Sequence, residues 1–298
     1  MSEPHTRLLT SWGDLMINDY IRGLRGKVVF ITGAARGQGR THAVRFAEAG
    51  AAVIGLDACR QIPSVGYPMS TSADLEETVG LVEQAGGRIL AVQGDVRDEV
   101  CLTKALDEGI GKFGRLDFVI ANAGIAPLYD ERAREIDAWR DCLDVMLTGV
   151  MLTVEATYPR LVSAGAGGSI VLTGSMGGVI PMIRSEHAHT FGMLGYSAAK
   201  AGVEILGKNY ASLLAAHSIR VNVIHPSGVD TPMVSNQMFD THWASAAGAD
   251  DGPVLSHAMP VDKLHPDDVS GLALWLCSDD SRYFTGNALR LDAGASLR

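Results

Sequence analysis

Residues Lys27 to Gly39 read KVVFITGAARGQG. A run of β-branched and aromatic side chains leads straight into glycines at 33, 37 and 39, and a helical pattern begins near Gly39. The order is strand, tight turn, helix. Glycine lets such a turn carry its backbone up to a pyrophosphate, which then meets the unpaired N–H groups at the helix start. The spacing is GxxxGxG rather than GxGxxG, and glycine turns also join strands to helices where no nucleotide binds. Asp57 adds weight to the nucleotide reading. It closes the next strand 18 residues beyond Gly39, near the usual distance for a carboxylate that accepts hydrogen bonds from adenosine ribose hydroxyls.

The same alternation continues along the chain. Strands are expected at Lys27 to Ile31, Ala52 to Leu56, Ile89 to Gln93, Leu116 to Ala121, Ser169 to Thr173, Ile219 to Ile224 and Ala288 to Leu291. Between them, residues such as Leu75, Val79 and Val82, or Leu102, Ala105 and Leu106, recur at helical spacing. Repeated βαβ units predict an α/β protein with one parallel sheet of about seven strands and helices on both faces. No linker or repeat divides it, so residues 25–298 read as one domain. Residues 1–24 read as an appended arm, whose Leu8, Leu9, Trp12, Leu15 and Met16 are apolar enough to pack on the chain's own core or on a partner subunit.

Composition narrows the function. Of the 298 residues, 47% are hydrophobic and the net charge is −9, so the clustered basic surface that nucleic acid needs is not expected. No apolar run has membrane-spanning length, and the start MSEPHTRLLTSWGDLMIND has neither the basic start nor the apolar centre of a signal peptide, which makes a cytoplasmic protein the expectation. Cys59, Cys101, Cys142 and Cys277 show no CxxC spacing, and no metal site is expected. At the nucleotide site, Asp57 would repel a 2′-phosphate and favour NAD, whereas Arg36 or Arg60 could bind that phosphate or stack on the adenine. The carboxylate is taken to outweigh them.

Five motifs in order, TGAARGQG, the NAG of Asn122 to Gly124, a serine after the fifth strand, YSAAK at Tyr196 to Lys200 and PSGVDTPM at Pro226 to Met233, resemble the short-chain dehydrogenase/reductase family. The resemblance runs from Lys27 to the C-terminal TGNALRLDAG. It implies a Rossmann-like doubly wound sheet, a nicotinamide cofactor and alcohol–ketone interconversion by Ser175, Tyr196 and Lys200. A tyrosine four residues before a lysine shares its helix face, and a nearby ammonium favours the phenolate, so Lys200 would tune Tyr196 as base. Ser175 would steady the charge on the substrate oxygen. By the same resemblance Gly33, Arg36, Gly37, Gln38, Gly39, Asp57, Asp95, Val96, Asn122, Ala123, Gly124, Tyr196, Lys200, Pro226, Val229 and Thr231 would hold the cofactor. A substrate loop is expected near 230–265. A homotetramer is also implied, paired through the helices of Met146 and Tyr196 and near the last strand.

Three departures stand out. The family's assisting asparagine falls in a pattern like DVNLTG, where this chain has DVMLTG with Met146, and a thioether cannot do the work of an amide in a proton relay. Ser175 and Tyr196 are further apart than usual, the excess lying in Pro181 to Leu194. That stretch is expected to be a loop over the substrate site, where His187 and His189 could contact substrate, although solvated loop histidines are the commoner outcome and two histidines alone make no metal site. Finally CRQIPSVGYPMSTS lengthens the connection after Asp57 and resembles the insertion of the carveol dehydrogenase-like, mycofactocin-coupled subgroup. That resemblance implies an NAD that stays bound and is reoxidised in place by an external redox carrier. Met176, Val179, Ile180, Pro181, Met182, Met233, Met238, Phe239 and Trp243 predict a greasy substrate pocket, hence a hydrophobic secondary alcohol or its ketone. An NADP-dependent ketone reductase and a nucleotide-binding regulator that turns over poorly are the competing readings.

Overall fold

The inner apolar runs become strands because they are buried on both faces of one sheet, while the two edge strands, Arg88–Gln93 and Ala288–Leu291, are only partly covered. The computed structural model describes residues 21–184, 186, 188–237, 239 and 256–297. Its strands are β1 (Val28–Thr32), β2 (Ala52–Asp57), β3 (Arg88–Gln93), β4 (Phe118–Ala121), β5 (Gly168–Thr173), β6 (Ile219–Pro226) and β7 (Ala288–Leu291). Every neighbouring pair is parallel, in the order β3-β2-β1-β4-β5-β6-β7. Strand addition reverses at β1 and β4, which opens a crevice at their carboxyl ends, where doubly wound sheets bind ligands. All seven expected strands are present, with ends shifted by no more than two residues.

Seven α-helices are described: α1 (Gly37–Glu48), α2 (Ser72–Gln84), α3 (Glu99–Phe113), α4 (Ile136–Leu143), α5 (Gly149–Ala164), α6 (Phe191–Leu214) and α7 (Pro266–Cys277). Successive strand residues point to opposite faces. Thus Val28 and Phe30 join Leu106 of α3, Val154 of α5 and Val203 of α6 in one core, while Val29 and Ile31 join Phe46 of α1, Val82 of α2 and Leu274 of α7 in the other. Leu24, the last residue of the expected arm, is already buried in the second core. The arm's Leu8, Leu9, Trp12, Leu15 and Met16 lie outside the described residues. No helix among the described residues is long and apolar enough to cross a membrane.

Local chemistry fixes the ends that matter for the site. Gly33 sits at φ +70°, a backbone state that side chains disfavour. At Gly39 an added Cβ would lie 1.9 Å from the Gly33 carbonyl oxygen, so only glycine lets α1 start this close to the loop. Thr71 and Asp74 form a reciprocal capping box that starts α2. Thr190 accepts the Met193 N–H and starts α6 at Phe191. The expected Pro181 to Leu194 loop is therefore shorter: Phe191 to Leu194 are helical, because that cap and the buried Met193 extend the helix backwards. Between α4 and α5 the chain makes a π-helical turn at Asp144–Thr148, with Met146 fully buried in it. Such bulges often mark functional sites.

Candidate active site

A cleft enclosing about 880 Å³ and open to solvent lies over the crevice. The glycine loop and the start of α1 supply Gly33, Arg36, Gly37, Gln38 and Gly39; the strand ends supply Asp57, Asp95, Val96 and Asn122, followed by Ala123 and Gly124. Thr231 reaches in from the far side. The first turn of α1 has no side-chain cap, and the buried Gln38 Oε1 has no partner within the protein. The uncapped N–H donors of α1 beside a close-approach glycine turn suit a pyrophosphate, whereas the Gln38 oxygen, which only accepts, suits a hydroxyl or N–H of the same ligand. Asn122 holds the loop open: its Nδ2 donates to the carbonyl of Thr32 at 3.0 Å, while its own N–H donates to Thr32 Oγ1 at 3.0 Å.

The two arginines expected to compete with Asp57 are both engaged. Arg36 donates to the Pro68 carbonyl at 2.7 Å, and Arg60 pairs with Asp95 at 2.9 Å. Burial alone would raise Asp95, but hydrogen bonds from Arg97 and the nearby Arg60 hold its carboxyl below the usual range. Asp57 accepts from Ala35 N–H at 2.9 Å, Cys59 N–H at 3.0 Å and Ser70 hydroxyl at 2.7 Å. A carboxylate offers about four acceptor sites. With the Cys59 thiol also on Oδ1 at 3.8 Å, Oδ1 is fully engaged and Oδ2 takes only the Ala35 N–H, so Asp57 ties the glycine loop to the inserted segment and any further donor would be met by Oδ2.

The inserted segment forms one wall. Ile62, Tyr67, Met69 and Ser70 line the cleft, and the Tyr67 hydroxyl accepts the Ala126 N–H at 3.1 Å. Gln61 staples the segment to itself, donating to the Val65 carbonyl at 2.8 Å and accepting the Met69 N–H at 3.0 Å. Ser64 donates to Asp141 at 2.7 Å and anchors it to α4. Tyr67 was not anticipated from sequence, although an aromatic between Gly66 and Pro68 in a polar loop is the signal that could have found it.

Deeper in, a second pocket is lined by Ser175, Tyr196, Lys200, Met146, Pro226 and Val229. β5 delivers Ser175, whose Oγ accepts the Gly177 N–H at 3.1 Å, and α6 delivers Tyr196 and Lys200 one turn apart. Burial raises the Tyr196 phenol, opposed by its hydrogen bond with Ser175. Burial pushes Lys200 down to about 8. Its ammonium donates to the Thr173 carbonyl at 2.7 Å rather than acting on the phenol, so the expected depression of Tyr196 by Lys200 is outweighed here by desolvation.

Adjoining this pocket is an apolar cavity of about 560 Å³, and Ser175 and Tyr196 line both. Met182, Met233 and Phe239 line it as expected; Ala126, Leu128, Tyr129 and Val234 line it as well. Met176, Val179, Ile180 and Pro181 are not among its lining, because the short turn after Ser175 directs Met176 into the protein interior. Exposed His189 does not line it either, while His187, Met238 and Trp243 lie outside the described residues. Of the expected 230–265 loop, residues 240–255 lie outside as well, and Val229 bridges Leu264 where the segment returns.

A family model described as short chain dehydrogenase matches residues 27–241. An uncharacterized oxidoreductase of Mycobacterium tuberculosis is 51% identical over 273 residues, covering 92% of this chain and 97% of its own. The (-)-trans-carveol dehydrogenase of Rhodococcus erythropolis is 39% identical over 283 residues, covering 92% and 99%. Among solved structures, carveol dehydrogenase from Mycobacterium avium in complex with NAD is 42% identical with a TM-score of 0.83, covering 92% of this chain and 99% of that one.

Proposed function

The chain belongs to the short-chain dehydrogenase family, and we propose that it oxidises a hydrophobic secondary alcohol, or reduces the ketone, through Ser175, Tyr196 and Lys200. It is an NAD-dependent alcohol dehydrogenase. The observation that carries the assignment of the residues is placement: Ser175 and Tyr196 alone of the three stand where the polar pocket meets the apolar cavity, with Lys200 behind them. When bound, NAD supplies the hydride acceptor. Tyr196 takes the alcohol proton in its phenolate form, the form that burial disfavours in the free protein, Ser175 hydrogen-bonds the substrate oxygen as charge develops on it, and the apolar cavity orients the carbon skeleton and excludes water. Gly33, Arg36, Gly37, Gln38, Gly39, Asp57, Asp95, Val96 and Asn122 to Gly124 would hold the dinucleotide, and Pro226, Val229 and Thr231, which line the cleft or the polar pocket, would meet its nicotinamide.

Asp57 and the engagement of Arg36 and Arg60 support NAD over NADP. The stapled wall of Ile62, Tyr67 and Met69 supports a cofactor that exchanges slowly and is reoxidised in place by an external carrier, as the carveol dehydrogenase-like resemblance implies. Apolar side chains exposed on α6, Ile205 and Leu213, and on the segments flanking β7, Tyr283 and Leu297, support a homotetramer. The direct test is Tyr196→Phe assayed on a panel of secondary alcohols with an artificial electron acceptor. Turnover should fall by about a hundredfold or more while NAD remains bound. A variant that keeps wild-type turnover removes Tyr196 as the base.

A further inference from the structure

Ser227 is also shared by the polar pocket and the apolar cavity, in the company of Ser175 and Tyr196. Its Oγ lies 2.7 Å from Nε2 of His257, and Nδ1 of that histidine lies 2.8 Å from the Val261 carbonyl oxygen. A carbonyl only accepts, so Nδ1 carries a proton. In the neutral ring Nε2 is then a bare lone pair, and the Ser227 hydroxyl must donate to it. Both partners are buried and firmly mounted: Ser227 N–H donates to the Leu291 carbonyl at 3.1 Å, and the N–H groups of Ala258 and Met259 both donate to the Ala293 carbonyl at 3.0 Å.

With its proton spent on His257, the Ser227 oxygen has only lone pairs left to offer the cavity. It accepts and does not donate. We propose that Ser227, polarised by His257, is a specificity-determining residue that selects substrates carrying a second hydrogen-bond donor, a diol or hydroxylated ring, over monofunctional alcohols and ethers. This rests on the reading of the apolar cavity as the substrate site. A buried acceptor facing an ether or a methylene would lose its water without gaining a partner, which is how such sites discriminate.

The test measures binding by calorimetry to the NAD-loaded protein, using cis and trans cyclohexane-1,2-, 1,3- and 1,4-diols, each beside its monomethyl ether. At least one diol should bind roughly fivefold or more tightly than its ether. Ser227→Ala should abolish that preference by weakening the diol alone, and Ser227→Thr should restore it. The proposal is overturned if no diol outbinds its ether, if the preference survives in Ser227→Ala, or if that variant weakens NAD and every alcohol alike, which would place the hydroxyl on the cofactor. Steady-state turnover run alongside separates the two readings: binding selectivity without oxidation of any alcohol overturns the dehydrogenase assignment and leaves the Ser227 assignment standing.

Discussion

Lys200 is a cation held almost wholly out of water, and its pKa of about 8, against an ordinary 10.5, measures what that burial costs. Between those values the unfolded chain binds the proton and the folded chain does not, so this group's contribution makes stability rise with pH across that window. Below about 8 the penalty is on the order of 3 kcal/mol. Lys200→Met removes the charge but leaves the Thr173 carbonyl unpaired, which returns about 1–2 kcal/mol of cost. The variant should therefore lose turnover yet gain about 1–2 kcal/mol in urea unfolding at neutral pH, a gain that shrinks as pH climbs from about 8 toward 10.5. A loss of stability that does not vary with pH would show that the lysine is not the strained group it is taken to be. Met146 poses the complementary question, since its side chain lines the Tyr196 and Lys200 pocket where the family pattern has an amide. Met146→Asn should raise kcat, by roughly tenfold if the missing relay limits proton removal. An unchanged rate with NAD bound would mean that water reaches Lys200 without an amide.

At the level of elements, the inserted segment between β2 and α2 is organised by one side chain. Gln61 touches the Val65 carbonyl and the Met69 N–H, while the wall itself is made by Ile62, Tyr67 and Met69. Gln61→Ala should loosen the wall without altering its surface, and NAD release followed by stopped-flow displacement should accelerate by several-fold. Release at the wild-type rate would separate this segment from cofactor retention. The inner strands were legible in the sequence because burial on both faces writes them as largely apolar, β-branched runs, and the glycine turn was legible because only Gly39 tolerates the Gly33 carbonyl. The cavity lining was not. Which of Met176, Val179 or Met182 faces substrate depends on a turn after Ser175 that periodicity does not encode, and Ser227 meets His257 across 30 residues of chain. The split of Asp57 among Ala35, Cys59 and Ser70 was equally hidden, since its partners come from the glycine loop and the insertion together.

For the whole molecule, α6 does two jobs at once. Its inner face carries Tyr196, Lys200 and buried Val203, and its outer face leaves Ile205 56% and Leu213 59% exposed. Apolar side chains scattered singly on a surface need no explanation, but two on one helix, two turns apart, form a stripe suited to another subunit. If the tetramer is built there, assembly stiffens the helix that positions the base, and oligomeric state and turnover become linked. Ile205→Glu would place a charge in that interface at several kcal/mol of desolvation cost, with little effect on an isolated subunit, where the site faces water. Light scattering should then report a smaller assembly than the wild type, and kcat should fall on dilution at protein concentrations where the wild type is unaffected. A variant with wild-type mass and wild-type rate would detach α6 from assembly and leave the β7 side, with exposed Tyr283 and Leu297, as the surface to test next.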